Sequence, residues 1–488
     1  MQNPVVIPPI DWRLLAPLVW LLCGAVVVTL LAVGPRSWRH YTGYAALLAL
    51  AGPAAATLRL WSGSASALTA PTTMSGMLQM DRFALCFHFI FLVTAALTML
   101  LSIPSLSERH GDSAEYYALV LFATSGMMLM SATTNLLVLF LGLEILSLPL
   151  YILVGFTRWQ DRSLEASMKY FLLGALSTGF TIYGMALMYG ATGTLDLSKM
   201  ASSGPSPILM LGFGLTLVGF LFKIAAFPFH YWLPDVYQGA PTSVTAFMIA
   251  GTKAAAFAAI LRIVTAPVFW DGPLTIEWTR LLTALSALTM TAGNAVALVQ
   301  NNLKRMLAYS SIAHAGYLLI AVVARSTDGV SSVVFYLAAY LLMNIGAFAV
   351  VLVVDRSRGG EGEGDFIASY QGLGRRHPAL AAAMTVFMLS LTGVPLTGGF
   401  VGKFYIFRAA IDSNMYGLAL VGLLNSVVAA AYYLNVVLNM YMKEPVSEPP
   451  VVTTPPLLGL GITLSVAGVL YLGIFPARLL EIARNLLL

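Results

Sequence analysis

Charge is what this 488-residue sequence has least of: Asp, Glu, Lys and Arg together make up 10% of it. A soluble domain carries about 25%. With 59% hydrophobic residues and a mean hydropathy of +0.83, there is too little polar surface to coat a soluble core. The sequence therefore reads as an all-α polytopic membrane protein. Cysteine is nearly absent. Cys23 and Cys86 stand singly in apolar runs, with no C-x-x-C, haem-attachment or iron–sulfur spacing, and read as packing residues. No pair among the six histidines has haem-like placement. The sequence thus offers no cofactor-binding and no metal site, and the electrons of any redox partner reaction pass elsewhere. No basic run suggests nucleic acid. The net charge of +5 is spread along the loops and suits a bilayer with anionic headgroups. The N-terminus lacks the basic n-region of a signal peptide, and Asp11 and Arg13 flank a first apolar run that is expected to be retained.

What is present is apolar length. A span needs about 20 apolar residues, and about fourteen runs qualify: 14–34, 42–61, 83–103, 114–132, 135–156, 163–190, 207–229, 243–265, 275–299, 306–325, 330–354, 379–411, 416–442 and 455–475. The run 379–411 is too long for one helix and is interrupted by TGVPLTGG. With the N-terminus outside, twelve of the 26 basic residues fall in inside loops, ten outside and four within spans. The sign of that bias sets the orientation.

The charges inside spans carry the functional signal. The stretch Leu209–Thr265 sets Lys223 and Lys253 in two consecutive apolar runs around a Pro- and aromatic-rich bend; Lys169 and Lys403 lie in other spans, and Glu144 is the acid near the middle of one. A charge at the centre of a spanning helix costs roughly 2.5–3.5 kcal/mol. Any one of the five reads equally as an ion pair or a snorkelling stem. Together they point to a charge pathway. Asp196, Asp271, Asp355 and Glu444 fall in loops and read as solvated carboxylates.

Two spans are broken. Span seven carries Pro228 and Pro234; span twelve carries Pro395 with Gly393, Gly398 and Gly399. Loosened backbone survives in a membrane only where protein or cavity water satisfies it. Paired breaks at corresponding places point to inverted repeats around a transport site. Spans 4–8 and 9–13 form two five-helix sets, each broken at its fourth helix and each with a lysine there. The expected segments are 1–113 (three helices), 114–265 (first repeat), 266–442 (second repeat) and 443–488 (last helix and tail). A cavity is expected beside Lys403, which lies about 12 Å along a helix from Pro395. Further polar candidates are His230, Tyr231 and Asp235 after the first break, Tyr309, Ser310, Ser311 and His314 in span ten, and Asn294, Asn344, Asn425 and Asn435. For each alone, helix–helix hydrogen bonding is the ordinary reading. His314 is the best proton-transfer candidate among them, because imidazole titrates near neutrality.

The blocks FPFHYWLPDVYQGAPTSVTAF, NNLKRMLAYSSIAHAGYLL and GVPLTGGFVGKFYIF resemble the signature stretches of the antiporter-like subunits of respiratory complex I, the proton-pumping NADH:quinone oxidoreductase. The similarity runs in detail from about span four to span thirteen. The short end after span fourteen, Lys403 in the broken twelfth span and the loop DFIASYQGLGRRHPAL are similar to the N-type branch. The resemblance implies proton transfer by Glu144, Lys223, Lys253 and Lys403, with Lys169 as a further lysine of that branch. It implies NADH, FMN, iron–sulfur clusters and quinone in partner subunits. The neighbours would be M-type antiporter-like and K-type small subunits, together with membrane lipids, in a bacterial cell membrane. A Glu144–Lys223 pair would hold the lysine's proton when close and release it when apart, since unit charges 4 Å apart at an effective dielectric of about 20 interact by about 4 kcal/mol. The alternatives are a subunit of a multi-subunit Na+/H+ antiporter or membrane-bound hydrogenase, and a structural scaffold.

Overall fold

A computed structural model of the chain describes residues 10–63, 71–109, 114–200, 206–270, 275–360, 362–444 and 453–486; Asp271 lies outside the described residues. The spans are α1 Trp12–Val33, α2 Thr42–Gly63, α3 Arg82–Arg109, α4 Ala114–Ser131, α5 Leu136–Val154, α6 Asp161–Thr192, α7a Pro207–Ile224 with α7b Trp232–Gly239, α8 Thr242–Val264, α9 Thr275–Ala297, α10 Leu303–Val323, α11 Thr327–Ser357, α12a Pro378–Thr392 with α12b Gly398–Asp412, α13 Tyr416–Met442 and α14 Pro456–Ile474. A short helix, Ala477–Arg484, follows, and a two-residue hairpin pairs Thr72–Thr73 with Leu78–Gln79. The protein is all-α and multi-pass. Eleven of these helices are long and apolar enough to cross a membrane. The other three expected spans are α4, α9 and the split α12: α4 carries Glu115 with several hydroxyls, and α9 carries Glu277 and Arg280.

Helix starts are written locally. The side chains of Asp11, Asn135, Asn302 and Ser326 accept hydrogen bonds of 2.9–3.0 Å from the backbone N–H groups of Arg13, Leu137, Arg305 and Gly329, meeting donors that a helix leaves unpaired. Asn135 and Asn302 begin the second helix of spans 4–8 and of spans 9–13. Each also forms an isolated β-bridge to the loop between the third and fourth helices of its set, Asn135 to Asp196 and Asn302 to Phe366. The two bridges lie on loops at opposite ends of the bundle, as inverted sets require. Close helix approach is equally local: a Cβ on Gly126 would lie 2.4 Å from the backbone N of Leu146, and one on Gly293 2.6 Å from that of Ala313. Small residues let helices meet where lipid supplies no hydrophobic drive.

The breaks differ from expectation in extent. Span seven does not stop at 229. Its chain leaves α7a at Ala225, φ 56°, and resumes as α7b, so the stretch read as a bend contains a second half-helix. Pro234 lies in the first turn of α7b, where a missing N–H is tolerated, and is not part of the break. In span twelve the break is Gly393–Thr397, with Gly393 at φ 97° and Leu396 at φ 70°. Gly398 and Gly399 already belong to α12b. Protein groups satisfy the loosened backbone: Phe227 N donates to Thr289 Oγ1 at 3.0 Å, Trp232 Nε1 to Phe222 O at 3.0 Å, and Gly399 N to Ser390 Oγ at 3.1 Å. At the centre of the bundle every residue of α8 is buried. Its alanine-rich second half lets α3, α4 and α7a pack close.

Candidate functional site

Four sequence-selected groups, Lys223, Lys253, His314 and Lys403, are buried within the bundle. Lys223 stands in the last turn of α7a, where the helix dipole favours a cation. Its Nζ donates to the Tyr170 hydroxyl at 3.0 Å and lies 4.9 Å and 5.7 Å from the ring centres of Tyr170 and Tyr151, a cation–π seat. Glu144 is half-buried and accepts from Thr178 Oγ1 at 2.8 Å. Among the described residues no ion pair joins Glu144 to Lys223.

Lys253 follows a π-helical turn, Met248–Thr252, inside α8. Such turns are rare and mark functional sites. Here the turn rotates the helix just before its lysine. Lys253 Nζ donates to the backbone O of Ser311 and, at 2.5 Å, to its Oγ, with the Tyr340 ring centre 5.4 Å away. The neighbouring Ser310 hydroxyl is bonded to Tyr433, which bonds His314 Nε2 at 3.0 Å; His314 Nδ1 meets the Tyr336 hydroxyl at 2.5 Å. His314 and Lys403 both approach the Tyr317 ring: the imidazole centre is 5.6 Å from that ring's centre and Lys403 Nζ 4.8 Å. The file Lys253–Ser311/Ser310–Tyr433–His314–Tyr317–Lys403 thus crosses the second helix set as adjacent hydroxyls, imidazole and amines. Between Lys223 and Lys253 the link is aromatic. Tyr170 stacks on Trp232 at 4.8 Å, Trp232 meets Tyr237 edge-on at 6.4 Å, and the Tyr237 hydroxyl interacts with Ser311.

Lys403 differs from expectation in its partners. Its Nζ donates to the carbonyls of Leu391 and Thr392, so the backbone freed by the twelfth-helix break is met by the lysine itself. Lys169 is not brought to the buried file. It is partly exposed near the start of α6 and bonds Glu165 and Asp235, each at 2.7 Å; Asp235 also binds Arg305 at 2.7 Å. Tyr231 is exposed and His230 half-buried. Asn294 and Asn425 bond one another at 3.0 Å, and Asn294 also holds Tyr317 and Tyr432. Asn344 donates to Tyr340 O, while Asn435 is exposed and accepts from Asn439.

Sequence reasoning missed the tyrosines 170, 237, 317, 336, 340 and 433 that separate the lysines. Their signal was phenols recurring inside otherwise apolar helices, as in Tyr336 and Tyr340 one turn apart. It also placed three groups wrongly. Asp355, read as a solvated carboxylate, and Lys304 and Arg262, counted among the inside and outside loop basic residues respectively, are all buried, Arg262 in the last turn of α8. Each is bonded rather than solvated.

Comparison with known proteins follows the same geometry. A family profile described as NADH:quinone oxidoreductase/Mrp antiporter, TM, matches residues 133–429, which hold all five intramembrane charges. The chain is 45% identical over 457 residues to NADH-quinone oxidoreductase subunit N of Trichlorobacter lovleyi, covering 92% of this chain and 91% of that one. It is 42% identical to subunit N 2 of Roseiflexus castenholzii, over 100% and 98% of the two chains. Among solved structures, a chain of respiratory complex I from Thermus thermophilus with bound Aureothin superposes with a TM-score of 0.81 at 37% identity, covering 96% of this chain and 99% of that one.

Proposed function

The chain belongs to the NADH:quinone oxidoreductase/Mrp antiporter family, among the subunits N of NADH-quinone oxidoreductase, and from that premise we propose that Glu144, Lys223, Lys253, His314 and Lys403 are the groups that move its protons. The protein is a proton-translocating membrane subunit of respiratory complex I, part of a multi-subunit translocase. The observation that carries the site reading is the row of buried polar groups from Lys253 to Lys403, joined by hydrogen bonds at Lys253–Ser311 and Ser310–Tyr433–His314 and by contacts with the Tyr317 ring at its Lys403 end. Apolar helices do not bury lysines without offsetting the cost, and a chain of exchangeable O–H and N–H groups is what proton transfer needs.

In this reading Glu144 sets the charge state of Lys223. Brought to about 4 Å the pair gains on the order of 4 kcal/mol at a dielectric near 20; in the separated arrangement, with Glu144 held by Thr178, that hold on the lysine's proton is relaxed. Lys253 receives the proton, His314 passes it between the tyrosines, and Lys403 is the terminal site. Lys169 serves at the rim through Asp235, which it anchors together with Arg305. The two five-helix sets, 114–265 and 266–442, act as the two half-units of this path, flanked by the 1–113 and 443–488 segments. NADH, FMN, iron–sulfur clusters and quinone belong to partner subunits in this proposal. The membrane neighbours are M-type and K-type subunits and lipids, and the membrane is the bacterial inner membrane. The sodium/proton antiporter alternative is not favoured, because the relatives aligned along the whole chain are complex I subunits.

The test is Lys223→Ala in the assembled complex reconstituted in vesicles. Proton translocation and coupled NADH:quinone turnover should fall severalfold while the complex stays intact. Translocation at the wild-type rate in an intact complex would refute the central role of Lys223.

A further inference from the structure

The end of the bundle where α5 meets α6, α7b meets α8 and α11 ends contains buried charge that the file above does not use. Lys304, at the start of α10, is 4% exposed, and Asp365, in the loop after α11, is 5% exposed. Lys304 Nζ donates to Ala240 O at 3.0 Å and lies 3.7 Å from Asp365 Oδ2. The other carboxylate oxygen, Asp365 Oδ1, is buried with no hydrogen-bond partner. An unpaired buried carboxylate oxygen is costly, so its retention calls for a mobile partner. Beside it lies a cavity of ≈ 90 Å³ whose walls include Arg162, Thr242, Ser243, Lys304, Asp355 and Asp365. That is room for several waters in a polar setting.

The cavity wall adjoins, in sequence, a residue next to the Lys253 site. Residues Gln238 to Ser243 line it, and the hydroxyl of the residue just before them, Tyr237, interacts with Ser311, the serine that holds Lys253. Along α10, Lys304 and Ser311 are seven residues apart, two turns on one face and about 10 Å. From these placements, resting on the reading of Lys253 as a proton relay, we propose that this cavity is the inner-side proton intake of the subunit. Asp365 is the carboxylate that collects the proton, Lys304 the cation that retains it in the anionic state, and Tyr237–Ser311 the link to Lys253, a supply to that lysine beside the one from Lys223.

The step is a proton transfer and balances as such. An O–H bond forms at Asp365 Oδ1 with a proton from the inner aqueous phase. It breaks as the proton passes through cavity water and the Tyr237 and Ser311 hydroxyls to the neutral amine of Lys253, where an N–H bond forms. The groups facing Asp365 are Lys304 from α10, Asp355 from α11, Arg162 from α6 and the Tyr370 phenol, whose hydroxyl is also buried and unbonded. Burial pushes the Asp365 carboxyl up to about 6, with Lys304 opposing and Asp355 adding to the rise, which keeps both its forms within reach near neutral pH.

The experiment uses the intact complex in vesicles with the inner face outward. Asp365→Asn keeps the shape but carries no exchangeable proton on oxygen, and Asp365→Ala opens space for a small acid. Both should lower the initial translocation rate severalfold at pH 7.5. Formate at tens of millimolar should restore Asp365→Ala and leave the wild type unchanged, while Asp365→Glu should pump with a shifted pH profile. A loss in Asp365→Ala that formate does not relieve makes the residue a loop anchor and overturns the proposal. So does wild-type pumping by Asp365→Asn. Lys253→Ala, measured alongside, separates the two readings: if it pumps normally the relay itself fails, whereas if it is inactive and Asp365→Asn is normal, only the intake fails. Should neither Asn nor Ala assemble, Asp365→Glu decides through its pH profile, an unshifted profile counting against the proposal.

Discussion

Lys403 donates to the carbonyl of Leu391 at 2.9 Å and to that of Thr392 at 3.0 Å, so the lysine of one half-helix closes the end of the half-helix before it. The last carbonyls of any helix lack an intrahelical partner, and in a membrane interior they must find one in protein. The C-terminal end of α12a is also the negative end of its dipole. The break is therefore held by a charge. A proton leaving Lys403 weakens the attraction that fixes α12a to α12b, which couples the protonation state to the geometry of the break.

That coupling separates two substitutions. Lys403→Arg keeps a cation and several donors but does not release its proton. It should assemble normally and impair proton translocation severalfold. Lys403→Ala leaves two carbonyls unpaired, at a cost on the order of 1–3 kcal/mol each, so it should lose translocation and also lower the thermal midpoint of the complex. Vesicle proton uptake and thermal unfolding together check the pair. Normal pumping by the arginine variant would make Lys403 a fixed charge.

The middle of the file makes a second prediction. His314 bonds Tyr433 with one ring nitrogen and Tyr336 with the other, so it is the bridging group between the Lys253 and Lys403 ends. His314→Phe preserves the packing among the Tyr317, Tyr336 and Tyr340 rings but removes both bonds. It should slow translocation severalfold with little change in assembly, whereas Tyr433→Phe, which also breaks the bond to Ser310, should act in the same direction. Proton uptake alongside quinone reduction reads both, and unchanged uptake in both variants removes the histidine from the path.

How far the sequence disclosed this depends on the residue. The lysines at 223, 253 and 403 were legible because a charge in an apolar run has a large, known cost, and the breaks because proline and glycine announce themselves. The half-helix α7b was not, since FHYWLPDVYQG is short and polar and its helicity comes from packing against α6 and α10. Lys169 was misleading for a related reason: spacing placed it inside a span, but its partners, Glu165 on the same helix and Asp235 on α7b, hold it at a partly exposed rim. The buried state of Lys304, Asp355 and Asp365 was hidden because a loop residue reads as solvated until the fold brings five separate segments around it. The tyrosines were hidden because a phenol in an apolar helix is ordinary packing until its hydroxyl is seen to face a lysine.

Arg262 links the core to the first three helices. Its guanidinium meets Asp81 with two bonds of 2.6 Å, donates to Ser131 O at 2.9 and 3.0 Å, and lies 4.4 Å over the Phe83 ring. Removing one partner of a buried pair strands the other, at a cost of about 3–5 kcal/mol. Arg262→Ala should reduce the amount of assembled complex. Arg262→Lys loses the bidentate fork and should fall between the two. The yield of intact complex on a native gel checks the order, which none of the proton-path substitutions should reproduce.

The last prediction concerns stability against pH, carried by Asp365. Burial raises its carboxyl from 3.8 to about 6 in the folded protein. Between these values the native state binds more protons at this site than the unfolded chain does. Stability then falls as pH rises through that window, by at most about 1.4 kcal/mol per pH unit. The full contribution is present below about pH 4 and is lost above about pH 6. This is opposite in sign to Asp196, whose hydrogen bonds to Ser198 and Lys199 outweigh its burial and hold its carboxyl below the usual value. The two act in neighbouring windows, so the wild-type curve alone does not isolate either. The difference between wild type and Asp365→Asn does, because the asparagine does not titrate. Thermal midpoints of both complexes at half-unit steps from pH 4 to 8 should converge in slope above pH 6.5. Below that, the difference between the two should grow in favour of the wild type as pH falls. Parallel curves across the whole range would mean that folding does not raise the Asp365 carboxyl.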